Sequence, residues 1–337
     1  MPVRLLQPEM TMTNRRQILA ALAATPVLAA PALAQPARWA PSRSVRLVVP
    51  FPAGGSPDVL TRLMAPHAQA ALGQSVLVEN RTGAGATVGS GFVAREAPDG
   101  HTVLAATISS LTAPFMMNPR PYDPVRDFRA LSLLAITPTV LVVRPDFPAR
   151  TVQEWHQVIQ RNPGRFTFAS GGVGNPAHLA GELYRSMTRA DITHVAFRGS
   201  APALVELRAG RVDFSILDLP SAAAMIADRS IPALAVGTAE RVPTLPDLPT
   251  ISETVAPGFE AYSWVMWWLA AATPDPIAAR LQEVANEALR QPDVQARGAQ
   301  AGFLLRGTDD AAARAHVAAE SEKWGRIIRE RNIVFDG

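Results

Sequence analysis

The sequence predicts an α/β fold divided between two lobes, and three observations carry that prediction. Short apolar runs alternate with helical stretches along the chain, a grammar that layers helices on a sheet. Loops of glycine, proline and small polar residues follow several of the apolar runs, where strands end and helices start. The 303 residues left after an N-terminal export segment are enough for two domains of ordinary size around separate cores.

That export segment is residues 1–34. Arg15-Arg16 precede an apolar run from Ile18 to Leu33, and the small-residue site Ala32-Leu33-Ala34 closes it. This reads as a twin-arginine signal cleaved about Ala34/Gln35, placing the mature protein in the periplasm. The run is too short to span a bilayer and is broken by Pro26 and Pro31.

Removing Arg4, Arg15, Arg16 and Glu9 with the leader leaves 29 basic and 28 acidic side chains, so the mature chain is close to neutral. The arginines are scattered and Lys323 is the sole lysine. No basic stripe is present to track a phosphate backbone, so nucleic acid is not an expected partner. Cysteine is absent, which excludes thiol catalysis and thiolate metal sites.

In chain order, strands are expected at Val45–Val49, Val76–Val78, Val103–Ala106, Val140–Val143, Phe166–Ala169, near Thr193–Val195, at Val212–Ile216 and at Leu234–Val236. Helices are expected from Asp58 to Leu72, after the capping box Thr151/Glu154 to about Gln160, over Pro276–Leu289, and over Asp309–Arg331.

Three loops share one construction. Phe51-Pro52-Ala53-Gly54-Gly55-Ser56-Pro57 follows the first strand, with Ser56 read as the N-cap. Ser170-Gly171-Gly172-Val173-Gly174-Asn175-Pro176 follows the strand ending at Ala169, with Asn175 as cap. Phe197-Arg198-Gly199-Ser200 follows the strand near Val195, with Ser200 as cap. Small residues let a ligand approach the backbone, and helix N-termini favour an anion. Each loop alone is an ordinary capped turn; three together describe a carboxylate receptor whose loops converge at the carboxyl ends of strands. Thr107-Ile108-Ser109-Ser110 adds hydroxyls, Arg198 is a candidate charge partner, and Asp58 suits the dipole of its own helix.

Other chemistries fail on spacing. Gly83, Gly85 and Gly89 are one residue too long for a dinucleotide loop, and no Gly-x-Ser-x-Gly elbow occurs. The six histidines (His67, His101, His156, His178, His194, His316) include no pair three or four apart. No metal or cofactor is expected. Ser170 with His178 is the one enzymatic pairing left to weigh, as a hydrolase.

The sequence resembles the Bug-type solute-binding proteins of tripartite tricarboxylate transporters nearly end to end. The motifs, in order, are Val48-Val49-Pro50-Phe51-Pro52-Ala53-Gly54-Gly55-Ser56-Pro57-Asp58, Val78-Glu79-Asn80-Arg81, Pro98-Asp99-Gly100, Tyr122-Asp123-Pro124-Val125-Arg126-Asp127-Phe128, His178-Leu179-Ala180-Gly181-Glu182-Leu183, Gly199-Ser200-Ala201-Pro202-Ala203, Leu245-Pro246-Asp247-Leu248-Pro249-Thr250 and Ser263-Trp264. The resemblance implies a type II periplasmic-binding-protein fold: two α/β lobes, 43–138 plus 238–335 and 139–237, joined by two crossing segments near Pro138 and Gly237. It implies that the lobes close on a small carboxylate held by loop amides, hydroxyls and waters. Its implied partners are the large and small membrane subunits of a transporter, with a sensor kinase as the alternative, and the chain is expected to act as a monomer.

Three departures bear on the pocket. Ser109-Ser110-Leu111-Thr112-Ala113-Pro114 replaces a motif with His and Asn, Phe197-Arg198-Gly199 replaces Tyr-Lys-Gly, and Leu217-Asp218-Leu219-Pro220 stands where Asp-Asn-Leu-Pro is common. They make the pocket more apolar and point to a ligand with an apolar or aromatic body. Asp218 joins the loop residues above as a candidate ligand contact.

Overall fold

One long strand organises the fold. In the computed structural model, which describes residues 38–335, β4 (Phe128–Val143) runs through a ten-stranded sheet and changes partners part-way along. The expected export signal lies outside the described residues. Before β4 come β1 (Val45–Val49), α1 (Ser56–Leu72), β2 (Val76–Asn80), α2 (Thr87–Ala94), β3 (Thr102–Thr107) and the short α3 (Ile108–Thr112). After it come α4 (Val152–Arg161), β5 (Phe166–Ser170), α5 (Pro176–Thr188), β6 (Ile192–Ala196), α6 (Ser200–Arg208), β7 (Phe214–Asp218), α7 (Leu219–Ala227) and β8 (Ala233–Val236). The chain closes with α8 (Ile251–Thr254), β9 (Tyr262–Ala270), α9 (Asp275–Leu289), α10 (Pro292–Gln300), β10 (Leu304–Leu305) and α11 (Asp310–Glu330).

The strand order is β2-β1-β3-β9-β4-β7-β5-β6, with β8 and β10 also on β4. β1 pairs in parallel with β2 and β3, and β5 in parallel with β6 and β7. β9, β7 and β8 all lie antiparallel to β4. Pairing with β9 ends at Pro138↔Tyr262 and pairing with β7 begins at Thr139↔Asp218. Proline has no amide hydrogen to give a ladder, and Pro138 sits where the ladder changes strand.

Gly237 closes the same seam. Its amide donates to Thr139 O (2.9 Å) and its carbonyl accepts from Ala261 N (2.8 Å). A Cβ here would lie 2.1 Å from Thr139 Oγ1, which itself donates to Ala261 O at 2.6 Å. Only glycine fits between these backbones.

The helices cover both faces. On one, Leu104, Phe128, Trp264 and Trp268 pack with Trp324 and Ile328 of α11, and the same cluster continues through Leu141, Trp155, Phe168 and Phe214. On the other, Leu47, Val103, Leu131 and Trp267 meet α1 and α9, while Val140, Val142 and Leu217 meet α6 and α7. The α4 capping box forms as predicted, with Glu154 N donating to Thr151 Oγ1 and Thr151 N to Glu154 Oε2, each at 3.2 Å.

Two long strands depart most from expectation. β9 (Tyr262–Ala270) was not foreseen, and β4 begins at Phe128 rather than Val140. Both are buried on both faces, so the alternation that marks a half-exposed strand is missing, and in β4 the apolar residues are further interrupted by Arg129, Ser132 and Thr137.

Candidate functional site

The predicted loops stand at the carboxyl ends of β1, β3, β5, β6 and β7. Their internal bonding separates residues used by the loop from groups left open.

The loop after β1 is anchored from below. Asp58 is buried, and its carboxylate accepts from Gly54 N (2.9 Å), Asn80 Nδ2 (2.8 Å) and Arg62 Nε (3.0 Å). Asn80 Nδ2 also donates to Phe51 O at 3.0 Å. Burial alone raises the Asp58 pKa, but hydrogen bonds from Arg62, Gly54 and Asn80 outweigh it and hold the group below its ordinary value. So engaged, the carboxylate of Asp58 holds this loop in place. Phe51 and Gly55 are half-buried; Pro52, Ala53 and Gly54 are exposed.

Ser56 is not the cap. The N-cap of α1 is Gly55, in extended geometry and with no side-chain cap bond. The same correction holds at α6, whose N-cap is Gly199 rather than Ser200, again with no side-chain cap bond. In both loops a glycine already leads the chain into the helix, so the serine falls at the first helical position. The first-turn amides and the serine hydroxyl are therefore not consumed by a cap. Asn175, by contrast, caps α5 as predicted, its Oδ1 accepting from Ala177 N at 2.8 Å.

The loop after β5 sits at the centre. Gly199 N donates to Gly171 O (3.1 Å) and Phe197 N to Ser170 O (2.9 Å), tying it to the loop after β6. On another side, a Cβ at Gly174 would come 2.4 Å from Met116 Cε, so the segment following α3 packs directly on it. Arg198 is exposed and makes no ion pair among the described residues. At the end of β3, Ser110 Oγ accepts from Thr107 N at 3.2 Å, Ser109 is half-buried, and Thr107 Oγ1 is buried without a hydrogen-bond partner.

Ser170 does not pair with His178. Its Oγ lies 2.7 Å from His194 Nε2, accepts from Gly172 N (3.1 Å) and donates to Gly172 O (3.0 Å). The direction of the Ser170–His194 bond follows the tautomer of the imidazole. The hydroxyl ties the loop after β5 to the neighbouring strand β6. His178 Nδ1 accepts from Gly174 N at 3.0 Å, which stiffens the loop tip. The His178 and His194 rings stack with centroids 3.8 Å apart. Burial lowers both pKa values to about 4, with Arg185 a further cause at His178 and the neighbouring His178 at His194.

His194, Asn80 and Met116 had no individual sequence signal as partners of these loops. The sequence gives a strand near Thr193–Val195, and the structure puts it at the edge of the sheet.

Asp218 ends β7. Its Oδ1 is sealed from solvent with no hydrogen-bond partner, and burial raises its pKa from 3.8 to about 7. A cavity of about 410 Å³ beside the crossing, lined by Ile136, Thr238, Glu260, Tyr262 and Arg306 among others, contains none of the predicted loop residues. Among the described residues no helix is long and apolar enough to cross a membrane, and no cluster of His, Asp or Glu is placed to hold a metal ion.

With this geometry in hand, comparison with known proteins is decisive. Residues 60–333 match the tripartite tricarboxylate transporter family receptor, TctC. The chain belongs to this family. Its relatives include Protein BugT of Bordetella pertussis, 33% identical over 327 residues, covering 95% of this chain and 98% of BugT. Among solved structures, the periplasmic binding protein BugD superposes with a TM-score of 0.72 at 31% identity, over 87% of this chain and 99% of BugD. A Rhodopseudomonas palustris protein solved with adipate gives 0.75 at 32% identity, over 87% and 99% of the two chains. MatC of the same organism, solved with bound malate, gives 0.72 at 30%, over 86% and 99%. TctC proteins are periplasmic solute-binding receptors, a family of binders and not of enzymes, and the fold is that of a periplasmic binding protein.

Proposed function

We propose that this chain captures a small carboxylate between two lobes, 43–138 plus 238–335 and 139–237, and delivers it to the membrane subunits of a tripartite tricarboxylate-type transporter. One observation carries the reading. α1 and α6 begin at glycines with no side-chain cap, leaving the first-turn amides and the Ser56 and Ser200 hydroxyls for an external anion. Capping those amides from outside is the role a ligand carboxylate fills, and the dipole of each helix favours it. The adipate and malate in related proteins have the same carboxylate chemistry.

Gly54, Gly55, Ser109, Gly171, Gly174, Gly199 and Ser200 supply close backbone approach and hydroxyls, and Ser170, Asn175 and His178 hold the central loop in shape. Arg198, exposed at its rim, steers the anion. The crossing at Pro138 and Gly237 is the hinge on which the lobes close. Periplasmic localisation and cleavage after Ala34 complete the reading.

Thermal unfolding against a panel of di- and tricarboxylates, aromatic acids and acidic amino acids tests it. An acid at about 100 times its dissociation constant adds about 2.7 kcal/mol, worth roughly 2–4 °C per kcal/mol for a protein of this size. A shift of that size with one acid that is recovered unchanged supports the receptor; a flat panel sinks the carboxylate assignment.

A further inference from the structure

We propose that the ligand of this receptor carries a hydrogen-bond donor beside its carboxylate, a hydroxyl or an ammonium group, and that Asp218 is the group that accepts it. This inference rests on the carboxylate-receptor reading and narrows the class of acid.

The hydroxyl paired with Asp218 across the sheet and the cap position it occupies do not serve its carboxyl. Thr139, its partner across the sheet, gives its hydroxyl to Ala261 O at 2.6 Å. Asp218 is the N-cap residue of α7, yet its side chain makes no cap bond, and Pro220 in the first turn has no amide hydrogen to offer. Oδ1 is thus a buried acceptor that its own fold leaves without a donor.

Such a group costs stability as long as it is unpaired, and a receptor gains selectivity by leaving it for the ligand. The contrast with Asp58 is direct. Both are acids in candidate loops, but Asp58 is saturated by Gly54, Arg62 and Asn80 while Asp218 has an empty acceptor. Burial without compensating bonds also raises the Asp218 pKa to about 7. A ligand with carboxylates alone presents only acceptors to Oδ1. A hydroxyl or ammonium group next to the carboxylate satisfies it.

The experiment compares acids that differ only in that donor: malate with succinate, aspartate with succinate, and mandelate with phenylacetate, titrated calorimetrically into the purified protein. The donor-bearing member of at least one pair is expected to bind about 10-fold tighter, the range of one hydrogen bond. Asp218→Ala brings the affinity ratio within that pair to about one. Asp218→Asn, which keeps a neutral acceptor, retains part of a preference for a hydroxy acid and loses one for an amino acid. Equal affinities within every pair in the wild type, or a preference that survives Asp218→Ala, overturns the proposal while the receptor reading stands. Failure of every acid to bind overturns the receptor reading and this proposal with it.

Discussion

Acidification reads out the stacked histidines. His178 is buried, and burial followed by the charge of Arg185 lowers its pKa from 6.5 to about 4. Between those values the unfolded chain has taken up a proton that the folded protein refuses, so stability falls as pH falls. The contribution is complete above pH 6.5 and lost progressively down to about pH 4. At about 1.4 kcal/mol per pH unit, the whole window is worth about 3 kcal/mol, of which about 2 kcal/mol is lost by pH 5. His194 is also lowered to about 4, by burial and then by His178, but it is half-buried, so solvent screens its share and it contributes less. Two positive rings stacked at 3.8 Å repel by about 4 kcal/mol at an effective dielectric of about 20, so the second proton enters well after the first.

Urea unfolding of the wild type and of His178→Gln at pH 7 and pH 5 isolates the effect, because the carboxylates that titrate in this range are common to both proteins. The wild type is expected to lose about 2 kcal/mol more than the variant between the two pH values. Equal losses in both proteins refute the argument and place His178 in a site that already accepts a proton.

Two further outcomes follow from contacts in the fold. Gly237→Ala forces a Cβ against Thr139 Oγ1 and Ala261 O, and overpacking together with a lost hydrogen bond destabilises by about 2–4 kcal/mol; a change below about 1 kcal/mol in urea unfolding means the seam can relax. Asp58→Ala removes the acceptor shared by Gly54 and Asn80, costing about 2–3 kcal/mol. Because the Asp58 pKa is held below its unfolded value, that difference is present above about pH 4 and shrinks on further acidification, and a constant difference from pH 7 to pH 3 contradicts the assignment.

The legibility of the site followed the range of the interactions involved. Asn175 and Thr151 were readable as caps because a cap bonds an amide two or three residues away, a distance the sequence displays. Ser56 and Ser200 misled for the same local reason: each has the residue type of a cap, but a glycine before it takes the cap position. Ser170 and His178 share one loop-and-helix stretch of the sequence, whereas the partner of Ser170 is His194, 24 residues away on the neighbouring strand.

The sequence by itself determined the α/β grammar, the position of the loops at strand ends, the near-neutral surface and, through motifs running nearly the length of the chain, the family. These are properties of composition, period and local turn chemistry. Only the tertiary structure decided that β4 passes from β9 to β7 at Pro138, that Gly237 must lack a side chain, that Asp58 is satisfied internally and that Asp218 is not. Each of those depends on which groups from distant strands come within hydrogen-bonding or van der Waals distance. The saturation of a buried polar group is set by its neighbours in space, and two aspartates that look alike in the sequence part company there.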